Sequence, residues 1–152
     1  MKLCKLLIEN VDEKYLVEET GKTVLHYAVE SGEVKICEAI INNVKDSNPA
    51  DKDGTTPLHI GLSNGKLNIC QLIISNAKNI NTSDKNGITP LHIAVSIGNL
   101  HYCRLIMKNA KTVTPADNNG RTPLHYAVVI SKYQKLEGKK DHMEIFRQGY
   151  IY

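Results

Sequence analysis

The apolar residues of the chain recur at helical spacing inside short segments that turn residues separate. In the segment 66–76 they fall at positions i, i+3, i+6 and i+7, which share one face of an α-helix. These residues are Leu67, Cys70, Ile73 and Ile74. The preceding segment carries Leu58 and Leu62, starts with Thr56-Pro57 and stops at Asn64-Gly65, which are typical first and last residues of a helix. The pattern predicts a unit of turn, helix, turn and helix.

Three residue types repeat in phase with a period of 33 residues. Glycine stands at positions 21, 54, 87 and 120, histidine at 26, 59, 92 and 125, and cysteine at 4, 37, 70 and 103. Chance does not keep three residue types in phase, so the period indicates tandem duplication. We predict a single domain over 1–152, with the second half of a repeat in 1–17 and a divergent last repeat in 117–152. The full repeats are 18–50, 51–83 and 84–116.

The last repeat loses the phase of the others. Leu136 stands where the period places a cysteine, and residues 141–146 have the pattern of a resumed second helix with Phe146 in that position. We therefore expect an inserted polar loop near residues 131–141. Alternatively, the last helix is frayed or incomplete.

The predicted helices depend on their neighbours for stability. Isolated helices shorter than about 12–15 residues are marginal in water, so each unit must bury its apolar face against the next. One position on the first helix of each unit is always small, which lets adjacent first helices approach closely. Its occupants are Ala28, Gly61, Ala94 and Ala127.

Three blocks share the pattern Asp-x-x-Gly-x-Thr-Pro-Leu-His, at 51–59, 84–92 and 117–125. The block at 18–26 departs from it, with Glu18 for Asp and Val24 for Pro. The pattern resembles the ankyrin repeat. The resemblance implies an all-α fold, a solenoid of stacked helix-turn-helix units with projecting β-turn fingers and a concave face. It also implies a protein partner that contacts the fingers and the concave helix face.

Composition and charge narrow the functional classes. The chain has 152 residues, 41% of them hydrophobic, and a formal net charge of +3 that is not clustered, which argues against a nucleic-acid partner. We expect no membrane insertion, because no stretch approaches the roughly 20 apolar residues of a membrane helix. The first ten residues are too charged for a secretory signal, so we expect a cytoplasmic or nuclear, reducing compartment.

The repeated cysteines and histidines could suggest disulfide bonds or a metal site. The spacing of equivalent residues in a repeat fold argues against both. Equivalent residues in stacked units lie roughly 8–10 Å apart, whereas a disulfide needs Cα atoms within about 7 Å. Zinc needs its ligands within about 2.3 Å of one point. We predict structural, reduced cysteines and no cofactor. The family resemblance implies that each histidine joins the threonine and the backbone at the base of a finger.

Motifs for a nucleophile or a phosphate loop are missing from the sequence, so we expect no enzyme. The first hypothesis is a non-catalytic module that binds another protein. The second is a structural or self-association segment of a larger channel, receptor or enzyme. The opening segment carries Leu3, Leu6 and Leu7, so we expect further repeats or a second copy at the N-terminal face.

Positions that change from unit to unit are the candidates for partner binding, because folding explains the repeated ones. An apolar patch rimmed by cations would suit a partner with apolar and acidic character. The apolar candidates are Ile88, Ile97, Val129 and Ile130. The charged and polar candidates are Lys52, Asp53, Thr55, Ser63, Asn64, Lys85, Asn86, Ser96, Asn118, Asn119 and Arg121.

Overall fold

The structure, a computed structural model, describes residues 2–10, 17–110 and 112–137. Within these ranges the chain forms eight α-helices, and its only bridge between extended segments joins Val17 to Thr23. The helices are α1 (Lys2–Asn10), α2 (Val24–Ser31), α3 (Val34–Ile41), α4 (Pro57–Ser63), α5 (Leu67–Asn76), α6 (Pro90–Ser96), α7 (Leu100–Asn109) and α8 (Pro123–Glu137). The predicted all-α fold is confirmed for this part of the chain.

The helices pack as two rows. The first helices of the units (α2, α4, α6 and α8) contact one another in sequence, and the second helices (α1, α3, α5 and α7) do the same. Within a unit the two helices pack together, as α2 does on α3, α4 on α5 and α6 on α7. Each unit therefore contacts its neighbours in the sequence, which is the arrangement of a repeat solenoid.

The ends of α4 follow the predicted signals. The Thr56 hydroxyl accepts a hydrogen bond from the N–H of His59, and Pro57 occupies the first helical position. Gly65 then takes a φ of 65°, a left-handed conformation that ends the helix and that other residues avoid. Gly32 and Gly98 stand at the equivalent positions after α2 and α6.

The helix α8, the first helix of the last unit, is about twice as long as the first helices of the other units. It has 15 residues, whereas α2, α4 and α6 have seven or eight. The position equivalent to Gly65 is Ser131, so α8 has no glycine to stop it there and continues to Glu137. The loop predicted near residues 131–141 is therefore wrong for 131–137. The resumed helix predicted around Phe146 lies outside the described residues.

The core lies between the two rows and uses the repeated apolar positions. The sequence pattern places Leu67, the first residue of α5, on the buried face, but this residue is 36% exposed and Ile69 is buried instead. Residues that stand at equivalent positions and are buried include Leu25, Leu58 and Leu91 on the first helices and Ile40, Ile73 and Ile106 on the second.

Close packing at Gly61 explains why this position is always small. A methyl group added there would lie 3.0 Å from Sγ of Cys70 and 3.4 Å from Cγ1 of Val29. The first distance is shorter than an ordinary contact, so a larger residue would separate α4 from α2 and α5. The equivalent residues Ala28 and Ala94 are buried as well.

Candidate functional site

Three of the fingers are tight turns that an aspartate organises. In the finger of residues 51–55, the N–H of Asp51 donates to the carbonyl of Thr55 at 2.9 Å. The Oδ1 atom of Asp51 accepts from the N–H groups of Asp53 and Thr55, each at 2.9 Å. The fingers of residues 84–88 and 117–121 repeat these bonds, which explains the recurring aspartate.

Backbone hydrogen bonds join each finger to the next. The N–H of Lys52 donates to the carbonyl of Thr20 at 3.0 Å, and the N–H of Lys85 donates to the carbonyl of Asp53 at 2.7 Å. Asn118 donates in the same way to Asn86 at 3.0 Å. The finger tips therefore form one hydrogen-bonded row.

The repeated histidines tie each first helix to the following finger. Nδ1 of His59 accepts from the backbone N–H of Thr56, and its Nε2 lies 3.0 Å from the carbonyl oxygen of Ile88. His26 and His92 make the same contacts with the fingers that follow them. This confirms the structural role that the family resemblance implied.

This network needs neutral imidazoles with one fixed tautomer. The backbone N–H requires Nδ1 to accept, so the proton is assigned to Nε2, which donates to the carbonyl oxygen. Burial lowers the pKa of His26, His59 and His92, although the bond to the carbonyl acts in the opposite direction.

The thiols lie in the core and not in the fingers. Cys37 and Cys70 are buried and free, and burial raises the pKa of these thiols to about 11 and about 12. Cys103 is free and half-buried, and the Cys4 side chain lies outside the described residues. Thiols with raised pKa values are poor nucleophiles, which fits the predicted structural role. In the described ranges, His, Cys, Asp and Glu form no group of three or more that could hold a metal ion.

Most of the predicted partner-binding residues lie at the surface. Eight of them are exposed, namely Lys52, Asp53, Asn64, Lys85, Asn86, Asn118, Asn119 and Val129. Four more are partly buried, namely Thr55, Ser63, Ile97 and Arg121.

Three predicted surface residues, Ile88, Ser96 and Ile130, are buried, so that part of the prediction is wrong. Ile88 lies at the base of its finger, where its N–H donates to Asp84 and its carbonyl contacts His59. The hydroxyl of Ser96 bonds to a carbonyl of its own helix, and Ile130 belongs to the core. Ile97 and Val129 alone remain of the predicted apolar patch.

Two of the three predicted cations are paired within the chain. Lys85 Nζ lies 3.3 Å from Oδ1 of Asp53 in the preceding finger. Arg121 Nε lies 2.9 Å from Oδ2 of Asp117, and its guanidinium lies over the Tyr126 ring at 5.3 Å. The cation rim that was predicted for an acidic partner is thereby reduced to Lys52.

Asp117 is the most strongly held acid of the fingers. Burial alone would raise its pKa, but hydrogen bonds from the N–H groups of Arg121 and Asn119 outweigh that effect. The hydroxyl of Tyr126 donates to Oδ2 at 2.8 Å, and these bonds together hold the pKa of Asp117 at about 2.

A groove of about 390 Å³ lies between the central fingers and the first helices, and we call it the central groove. Its apolar lining is Ile60, Ile88 and Ile93. Its polar lining is Glu30, Thr55, His59, Ser63, Asn64 and Asp84. Four predicted residues therefore meet in one depression that spans three successive units.

Sequence reasoning missed Glu30, Ile60, Asp84 and Ile93 as groove residues. Comparison of equivalent positions could have pointed to the groove. The position that Ile60 occupies is tyrosine in the two outer units and isoleucine in the two central ones.

None of the described helices combines the length and the apolar character that crossing a membrane requires.

One comparison with known proteins identifies the family of the chain. A search of curated proteins finds no significant match. The family model for ankyrin repeats in three copies matches residues 1–84 and 63–135, which together span most of the chain. The chain therefore belongs to the ankyrin repeat family.

Proposed function

We propose that this chain is a non-catalytic module that binds a partner protein through its fingers and the exposed face of its first helices. Ankyrin repeats are generally protein–protein interaction modules and are typically non-catalytic. The observation that carries the finer proposal is the central groove, where variable residues of three units line one continuous surface.

The rigidity of the fingers supports this surface as an interface. Hydrogen bonds join the tips from Thr20 to Asn118, and the histidines fix each finger to the preceding helix. A surface that is ordered before binding loses less conformational entropy when a partner associates.

Matched charge variants on two faces provide the test. Lys52→Glu with Asn119→Glu alters the finger face, where both residues are exposed. Asn68→Glu with Arg104→Glu makes the same change in charge on α5 and α7, again at exposed positions. We expect the first pair to reduce affinity capture of partner proteins at least tenfold and the second pair to leave capture intact, as quantified by mass spectrometry.

Thermal melts of both variants control for folding, since exposed substitutions of this kind change stability by only about 0.5 kcal/mol. Partners that the finger variant retains and the α5/α7 variant loses would place the interface on the other row and contradict the proposal.

A second candidate is self-association through α1. Leu3, Leu6 and Leu7 are 67%, 58% and 52% exposed and share one side of this helix, whereas Ile8 packs on the core. Exposed leucines at this spacing favour contact with another apolar surface, such as α1 of a second copy. Light scattering would then show a dimer that Leu6→Glu with Leu7→Glu dissociates, and a monomer for the unaltered chain would exclude this candidate.

We also propose a reducing compartment for the protein, as the sequence predicts. Support comes from the unpaired, buried thiols of Cys37 and Cys70. Imaging of the tagged chain in cells tests this proposal, and delivery to an oxidising compartment would contradict it.

A further inference from the structure

The groove positions differ systematically between the outer and the central units. The position at the base of the finger is Lys22 and Arg121 in the outer units but Thr55 and Ile88 in the central ones. The position on the first helix beside it is tyrosine in the outer units and isoleucine in the central ones, at residues 27, 60, 93 and 126. The outer units therefore combine a cation with a tyrosine, whereas the central units combine an uncharged residue with an isoleucine.

In the last unit, the cation neutralises the acid of the finger and the tyrosine donates a hydrogen bond to it. Arg121 binds Oδ2 of Asp117 at 2.9 Å, and the hydroxyl of Tyr126 donates to the same oxygen at 2.8 Å. The guanidinium also lies over the Tyr126 ring. The chain itself thus demonstrates that this position beside the finger acid holds an arginine.

The first unit also places a lysine beside its tyrosine, but this lysine pairs with an acid of the helix and not with the acid of the finger. Lys22 Nζ lies 3.3 Å from Oε1 of Glu30 and 5.6 Å from the centre of the Tyr27 ring. The carboxylate of Glu18, the acid of that finger, raises the pKa of Tyr27. Both outer units therefore supply their own cation.

The central groove has the acid without the cation. Asp84 uses Oδ1 to accept from the N–H groups of Asn86 and Ile88, at 2.9 and 2.8 Å. Its Oδ2, the oxygen that corresponds to the arginine-binding one of Asp117, receives no donor from the described residues. Ile88 and Ile93 stand where the last unit has Arg121 and Tyr126, and they are too short and apolar to reach it.

We propose that the central groove binds an arginine side chain of the partner protein, in the place that Arg121 occupies in the last unit. The guanidinium donates to Oδ2 of Asp84, and its aliphatic stem packs on Ile60 and Ile93. Ser63 and Asn64 offer acceptors for the remaining N–H groups, whereas Glu30 is already paired with Lys22. This inference rests on the proposed function, since it names the chemistry that the same face recognises.

The test uses the capped peptide Ac-Ala-Ala-Arg-Ala-Ala-NH2 as the probe, titrated into the labelled full chain and followed by amide chemical shifts. We expect saturable shifts at Asp84, Ile88 and Ile93. The same peptide with citrulline, which keeps the shape without the charge, should bind about tenfold more weakly, because hydrogen bonds to charged groups are the stronger ones. A lysine peptide should also bind more weakly, because it cannot present a planar pair of donors.

Two variants of the chain separate the groove from general charge effects. Asp84→Asn keeps the Oδ1 acceptor and removes the charge, so we expect about a tenfold loss of peptide affinity. Ile88→Arg with Ile93→Tyr rebuilds the arrangement of the last unit, so the chain's own arginine should fill the groove and abolish binding. Glu38→Gln removes one negative charge from the exposed face of α3 and should leave binding unchanged.

Absence of groove shifts, equal binding of the citrulline or lysine peptide, or unchanged affinity in Asp84→Asn would each overturn this inference. Asp84→Asn decides the question even if the double variant does not fold. The failure of this inference is distinguishable from that of the proposed function. If the peptide fails while Lys52→Glu with Asn119→Glu still reduces capture, only the arginine groove is wrong. If capture does not depend on the finger face, the proposed function itself is wrong.

Discussion

Leu58 and Leu124 stand at the same position of two units but in opposite environments. Leu58 on α4 is fully buried, whereas Leu124 on α8 is 72% exposed. The helix α4 packs on first helices at both sides and on α5, whereas α6 is the main contact of α8 among the described helices. The same residue in the same motif is therefore buried only where neighbours enclose it, so stability in this fold belongs to the contacts between units.

The largest expected difference follows from these two leucines. Leu58→Ala should lower the free energy of unfolding by about 2–5 kcal/mol, because it leaves a cavity in the core. Leu124→Ala should change it by only about 0.5 kcal/mol, since the side chain is mostly solvated. Urea denaturation measures both, and equal losses would show that the last unit is as well enclosed as the second.

The histidines His59 and His125 show the same contrast between an enclosed and an exposed unit, with a smaller expected effect on stability. His59 contacts both Thr56 and the next finger, whereas His125 contacts Thr122 and has no partner for Nε2 among the described residues. His59→Ala should cost about 1–3 kcal/mol because it leaves buried groups without a hydrogen bond. The cost of His125→Ala should be less than about 1 kcal/mol. A loss at His125 as large as that at His59 would contradict this difference.

The same network predicts a pH dependence. Burial lowers the pKa of His26, His59 and His92 in the folded state, so the unfolded chain binds protons first as the pH falls. The stabilisation from the neutral imidazoles is complete above the ordinary histidine pKa of about 6.5 and declines as the pH falls below it. Urea denaturation between pH 8 and pH 5 should show this decline, with a smaller slope in His59→Ala. Stability that is constant over this range would contradict the assigned neutral state.

The smallest expected effect concerns helix termination. Gly65 stops α4 with a positive φ, and Ser131 at the equivalent place lets α8 continue. Ser131→Gly should fray residues 132–137 and cost about 1 kcal/mol of helix stability. Gly65→Ser should cost about 1–2 kcal/mol, because a side chain disfavours the left-handed conformation. Cα chemical shifts report the fraying of α8, and urea denaturation measures the loss of stability in Gly65→Ser. An unchanged α8 in Ser131→Gly would show that packing, not the missing glycine, sets the length of this helix.

The fold could be predicted from the sequence because each landmark has a local physical role. Asp51 organises a turn, Thr56 caps a helix, and Gly65 stops it, so their period predicts the unit before any contact is known. The length of α8 could have been predicted in the same way, since Ser131 breaks the series of Gly32, Gly65 and Gly98.

The candidate site could be predicted only in part. Variation from unit to unit shows that a position is free of the repeat pattern, but it does not show that the side chain is exposed. Ile88 and Ser96 vary between units and are buried, because the following finger and the neighbouring helix cover them. The central groove combines Glu30, Ile60 and Asp84 from three units, and no local pattern in the sequence links these residues.

Hydrogen exchange of the captured complex tests the central claim most directly, since it reports where the partner covers the chain. We expect slower exchange in the fingers of residues 51–55 and 84–88 and in α4 and α6, with no change in α5 and α7. Protection confined to α5 and α7 would contradict the claim that the fingers and first helices form the binding surface.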